Sequence, residues 1–216
     1  MTLTNAALFG GAGHTLSLAG DGTVVLPTAD GGSNANTINP AGVTLPVTNA
    51  AALGANTLSF TSGVLRTPAG LGTLSNVSFT NNGRVALVAA GPIVLDGTVT
   101  LSGNNTIDML GQTVTIAPGT TFAGTGSLTF VGTGGVDIPG AITITNSIGV
   151  GGPGVSLTLG NAGSLGVGRL RLAGGTVTAT VPLAAGGVVL AGGVNTLNGT
   201  FAFSGGGISS PRRRLC

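Results

Sequence analysis

The chain has 216 residues, 42 of them Gly, with 6% charged and 3% aromatic residues and no Lys, Glu, Trp or Tyr. No stretch approaches the roughly 18 uninterrupted apolar residues of a membrane-spanning helix, the hydropathy is too high for disorder, and Gly does not recur at every third position as in collagen; one sizeable core or one continuous rod remains. The formal charge of +2 depends on Arg212, Arg213 and Arg214, and without them four Arg face five Asp, so no basic surface is expected to coat a nucleic-acid backbone.

In chain order, the first stretch, MTLTNAALFGGAG, has neither a basic segment nor a continuous apolar segment of the kind an export signal needs. The expectation is a fragment of a longer protein. His14 is the one histidine, with no nucleophile or orienting carboxylate beside it in sequence, and reads as a turn residue rather than a catalytic base. Leu16/Leu18, Val24/Leu26, Val43/Leu45 and Leu58/Phe60 are the alternating pairs of short strands, and residues 28–42 (TADGGSNANTINPAG) read as a longer loop or insertion.

From Val85 the pattern becomes regular. One series of apolar pairs runs Val85/Leu87, Val99/Leu101, Val114/Ile116, Leu128/Phe130, Ile142/Ile144, Leu157/Leu159 and Leu170/Leu172. A second series falls between them: Ile93/Leu95, Ile107/Met109, Phe122, Val136/Ile138, Ile148/Val150 and Leu165/Val167. Together they mark a strand about every seven residues, because apolar–polar alternation over a few positions is the signature of a half-buried strand. Between the pairs stand turn formers such as Asp96-Gly97, Ser102-Gly103-Asn104-Asn105 and Ala117-Pro118-Gly119. Gly and β-branched residues at this density exclude helix, and with it a coiled coil.

Strands so short cannot each bury a core. If the chain coils, every strand stacks on the one a turn earlier and the inward Val, Ile and Leu form one continuous interior. The fold class is therefore all-β, a parallel β-helix or β-solenoid. The beat of seven admits two strands per coil, about 14–15 residues, or three, about 21–22. The near-identity of Thr98–Leu101 and Thr113–Ile116 favours the shorter coil. A single solenoid domain is expected over 1–205, less regular over 1–57, followed by a disordered or artefactual tail over 206–216.

Few residues can do chemistry. One Cys, Cys216, excludes an internal disulfide framework and any Cys-based zinc cage. The Gly-rich runs lack the Lys of a phosphate-binding loop, and no metal or cofactor site is expected. The best catalytic candidate pairs Asp108 with Asp137, which short coils would place about 10 Å apart on one face, near the separation in an inverting glycosidase. No aromatic platform accompanies them, and the expectation is that the chain is not an enzyme. Outward Thr-x-Thr pairs are the other signal: with short coils, Thr98/Thr100, Thr113/Thr115 and Thr143/Thr145 would share one flat face, an array resembling the ice-binding faces of β-solenoid antifreeze proteins. The inward ladder is expected to include Val99, Leu101, Val114, Ile116, Leu128, Phe130, Ile142 and Ile144.

The phrases LDGTVTLSGNNTIDMLGQTVTIAPGTTFAGTGSLTF (Leu95–Phe130) and GGTVTATVPL (Gly174–Leu183) resemble the β-helical passenger region of bacterial autotransporters and haemagglutinin-type adhesins. The resemblance covers roughly Leu58 to Phe203. It implies a secreted or surface-displayed, right-handed β-solenoid that acts as a stalk or adhesive surface without catalysis. The partners implied are host or abiotic surfaces and glycans, with self-association through the solenoid ends, and neither nucleic acid nor a membrane span within this chain. The alternative is an ice-binding solenoid.

Overall fold

The structure, a computed structural model, describes residues 15–24, 37–46, 57–67, 72–75, 77–89, 91, 93–144, 146–165, 168–203 and 207–209. Among them there is no helix, and every strand-to-strand pairing is parallel. The strands stack as a β-solenoid with three faces. Ile93–Asp96 lies on face A, Thr98–Leu101 on face B and Asn104–Asp108 on face C. Thr113–Ile116 then returns to face A and pairs with Ile93–Asp96.

The registers measure the coil directly. Thr98 pairs with Thr121, 23 positions on; Val114 pairs with Val136, 22 positions on; Arg169 pairs with Gly187, 18 positions on. The short coil favoured by the Thr98–Leu101 and Thr113–Ile116 likeness is therefore incorrect: those segments occupy faces B and A of successive coils. Any two strands of this solenoid must alternate small polar residues outward with aliphatics inward, so neighbouring faces carry similar text without being stacked.

Inward residues make unbroken ladders. On face A the row is Ile93–Val114–Val136–Leu157–Val177–Leu197. Face C carries Ile107–Phe130–Val150–Leu172–Leu190, and face B carries Val99–Phe122–Ile144. Val99, Leu101, Val114, Ile116, Leu128, Phe130, Ile142 and Ile144 are all buried. One continuous cluster runs from Val24 to Val188. Phe60 stacks on Phe79 at 5.7 Å between ring centroids, so even the scarce aromatics are used one above another.

Buried polar side chains sit where the chain turns. Asn105 accepts a hydrogen bond from Gly83 N (2.9 Å) in the preceding coil and donates to Ser102 O (3.0 Å) and Gly103 O (3.2 Å) of its own corner. Thr120 Oγ1 donates to Ala117 O (2.7 Å) and toward Leu95 O of the preceding coil (3.3 Å). Ser164 Oγ donates toward Ile138 O and Gly140 O of the preceding coil, at 3.1 and 3.2 Å, and accepts from Asn161 N of its own corner at 3.0 Å. Corner carbonyls and N–H groups without a strand partner would be costly inside, and these side chains satisfy them while tying each coil to the last.

Two sequence-based boundaries shift. Thr37–Ala41, inside the expected loop over 28–42, is a strand paired with Thr15–Ala19 and Thr57–Thr67; its Pro40 obscures the alternation, as Pro is seldom a strand residue. The ladder also extends past residue 205, since Ile208–Ser209 pairs with Gly187–Leu190. Residues 28–36 and 210–216 lie outside the described residues.

The corner at Met109–Gln112 has a hydrogen bond from Gln112 N to Met109 O (2.8 Å), with φ of +46° at Leu110 and +85° at Gly111. Two left-handed residues in succession are the pattern of a type I′ turn, which favours Asn followed by Gly. Leu110 is 50% exposed, so its side chain contributes little burial to offset the conformational cost of about 1–2 kcal/mol. Leu110→Asn is expected to stabilise the protein by about 1 kcal/mol. A rise in the thermal or urea midpoint is the measurement, and an unchanged or lower midpoint contradicts it.

Candidate functional site

The structure separates the candidate carboxylates. Asp108 ends a face C strand, whereas Asp137 stands on face A between Thr115 and Thr158 in register. The pairing expected from short coils is thus incorrect, and no inverting-glycosidase arrangement forms between them. Asp108 has instead a partner that sequence spacing did not suggest: Arg84 Nη2 donates to its Oδ2 at 2.9 Å from the preceding coil. Arg84 is 68% exposed and Asp108 16% exposed, so this is a half-solvated ion pair. Among the described residues no three His, Cys, Asp or Glu side chains cluster to hold a metal ion. His14 and Cys216 lie outside the described residues.

The threonines divide between faces. Thr98 and Thr143 belong to one face B row, with Thr121 between them, while Thr113 and Thr115 are on face A. Thr100 shares the strand of Thr98; Thr145 lies outside the described residues. The three pairs therefore do not form the single flat row that coils of 14–15 residues would have produced. Face A instead aligns a different set. One outward row is Thr113–Gly135–Ser156–Thr176–Thr196, and the row beside it is Thr115–Asp137–Thr158–Thr178–Asn198. Neighbours stand about 4.8 Å apart between coils and about 6.7 Å apart along a strand. Most of these ten positions are hydroxyl-bearing, and Asp137 is the one charge among them.

Face C carries a different outward chemistry. Its rows are Asn104–Ser127–Ser147–Arg169 and Thr106–Thr129–Gly149–Arg171, set by strand register, with Ser127 and Ser147 each standing one residue before the Leu128–Ile148 pair. The first row, Arg171 of the second, and the adjacent corner with Thr125 and Asn146 border an open groove of about 540 Å³. Ser127 Oγ donates to Asn104 Oδ1 (2.9 Å), and Asn146 Nδ2 donates to Gly124 O (2.7 Å), which fixes the groove's amides and hydroxyls relative to one another. Arg169 and Arg171 are exposed, two residues apart on one strand, and no carboxylate lines the groove. Their side chains make no ion pair among the described residues.

Gly149 is buried in the row beside the groove. A Cβ there would stand 3.0 Å from Thr129 Oγ1 and 3.3 Å from Arg171 O, so the neighbouring coils close over it. Sequence reading passed over Arg169 and Arg171 because an isolated R-L-R is ordinary text. Their significance comes from the coils stacked beside them, which only the 22-residue step between Ser147 and Arg169 brings into register.

No family model, curated protein or solved structure matches the chain. No helix among the described residues is long and apolar enough to cross a membrane.

Proposed function

We propose that this chain is a non-catalytic β-solenoid segment of a secreted or cell-surface protein, serving as a stalk that presents adhesive surfaces. The observation that carries the reading is the unbroken stacking of inward ladders on faces A and C around one continuous core, which makes their outward rows straight, repetitive strips along the solenoid. Such quasi-one-dimensional folds commonly bind through extended surfaces rather than enclosed pockets. The resemblance of Leu95–Phe130 to autotransporter passengers and the scarcity of Cys support the same reading. Beads coated with the chain are expected to adhere to epithelial cells or to abiotic surfaces above albumin-coated controls. Adhesion no better than albumin on every surface overturns the proposal.

A second reading, ice binding, has an observation of its own in the two face A rows from Thr113 to Thr196 and from Thr115 to Asn198. Asp137 and Asn198 interrupt the hydroxyl–methyl regularity, and for this reason the adhesive reading stands first. The stalk predicts no gap between melting and freezing temperatures at micromolar protein. A hysteresis gap that disappears in Thr178→Lys reverses the order of the two.

A further inference from the structure

We propose that the face C groove between Asn104 and Arg171 is a binding site for an acidic, extended glycan, one carrying carboxylate or sulfate groups. This inference deepens the adhesive reading and rests on it.

The chemistry of the groove is graded from one end to the other. Arg169 and Arg171 project from one strand, about 6.7 Å apart along its axis, so two guanidinium groups face the same side. Arg presents a planar fork of donors that matches the two oxygens of a carboxylate or a sulfate. In the preceding coils the groove is lined by Ser147, Ser127 and Asn104, with Asn146 and Thr125 at the adjacent corner. These hydroxyls and amides match the mixed donor and acceptor character of sugar hydroxyl groups. Successive coils repeat them about every 4.8 Å, so a chain lying along the solenoid axis would meet one polar side chain after another.

Other occupants fit less well. No aromatic or large aliphatic side chain borders the groove, so a peptide would find no pocket for the apolar anchors that dominate protein interfaces. A single-stranded nucleic acid would find no stacking platform. Charge separates the rows as well. The acidic residue of this face, Asp108, is neutralised by Arg84 and borders Val131 rather than the arginine end. The groove therefore keeps two positive charges and no negative one, which favours an acidic over a neutral saccharide and makes binding weaken with salt.

The test is calorimetric titration of the full chain with a hexa-oligouronate and a sulfated hexasaccharide, with cellohexaose and inorganic sulfate as comparisons. The expected result is saturable binding of at least one acidic oligosaccharide, at least ten-fold tighter than either comparison and weakened by salt. R169Q/R171Q is expected to lower that affinity at least ten-fold. R66Q, which changes an exposed Arg outside the groove, is expected to bind as the parent does. Because Arg169 and Arg171 point outward, the double variant should melt with the parent, which separates a lost site from a lost fold. Equal affinity in R169Q/R171Q overturns the proposal, as does cellohexaose or sulfate binding as tightly as the acidic oligosaccharides. Bead adhesion without oligosaccharide binding overturns this site and leaves the adhesive reading standing; loss of both overturns both.

Discussion

Phe130→Ala is expected to cost about 3–5 kcal/mol, the usual range for removing a buried aromatic side chain and leaving a cavity. Phe130 is fully buried and lies in the face C ladder between Ile107 and Val150, which belong to the coils on either side. In a globular core a cavity can partly collapse as neighbours lean in from several directions. Here the neighbours above and below are held in register by parallel strand pairing, and an inward shift of either would break pairs with the next coil in turn. Relaxation is therefore limited, and the cost should fall in the upper part of the range. Thr129→Ala, one position away and facing outward, should change stability by no more than about 0.5 kcal/mol. Urea unfolding followed by circular dichroism measures both. In a stacked fold the break could also separate the coils before it from those after it, which would show as a lower slope of free energy against urea as well as a lower midpoint. A Phe130→Ala protein that unfolds with the parent removes the ladder as the source of stability.

The same ladder explains which parts of the molecule were legible in the sequence. Strand positions were, because each buries alternate residues: Val99/Leu101, Val114/Ile116 and Leu128/Phe130 announce themselves by period two and all are buried. The number of strands per coil was not. The series Val99, Val114, Leu128, Ile142 visits faces B, A, C and B in turn, stepping over one strand each time. A fold whose three faces all bury alternate aliphatics leaves no local mark of which face a strand occupies. Residues at the corners do hold that mark. Asn105 and Asn195 both accept an N–H from a glycine of the coil before, 22 and 21 positions earlier, and both turn their amide nitrogen to the carbonyls of their own corner. Counting corner asparagines and hydroxyls rather than aliphatic pairs would have pointed to the longer coil.

The candidate sites failed or succeeded with that one number. Asp108 and Asp137, and Thr98 and Thr113, were grouped by a step of 14–15; with the observed steps each pair falls on different faces. The groove on face C was invisible for the same reason, since Ser127, Ser147 and Arg169 become neighbours only through steps of 20 and 22. Function on a solenoid is written across coils, so an error in coil length relocates every surface residue while leaving every core residue buried.

Gly124→Ala is the second substitution expected to have a large effect, about 2–4 kcal/mol. Gly124 closes the face B strand Thr121–Gly124 with φ of +88° and pairs with Leu101 of the preceding coil. Two costs combine. An L-residue in the left-handed region loses about 1–2 kcal/mol. In addition, a Cβ at this position would meet the Leu101 carbonyl oxygen, the acceptor for Gly126 N at 3.1 Å. Moving that carbonyl weakens a buried backbone hydrogen bond, worth about 1 kcal/mol or more when its partner is left unsatisfied. Gly119→Ala supplies the control. Gly119 has nearly the same backbone, φ of +83°, but a Cβ there would have no atom within 4 Å, so only the conformational term applies. The difference between the two variants in urea midpoint thus isolates the close approach of one coil to the next. Gly124→Ala should be the less stable by about 1–2 kcal/mol. If the two variants lose the same stability, the corner glycines serve backbone conformation alone, and tight stacking of coils at the corners is not what sets their identity.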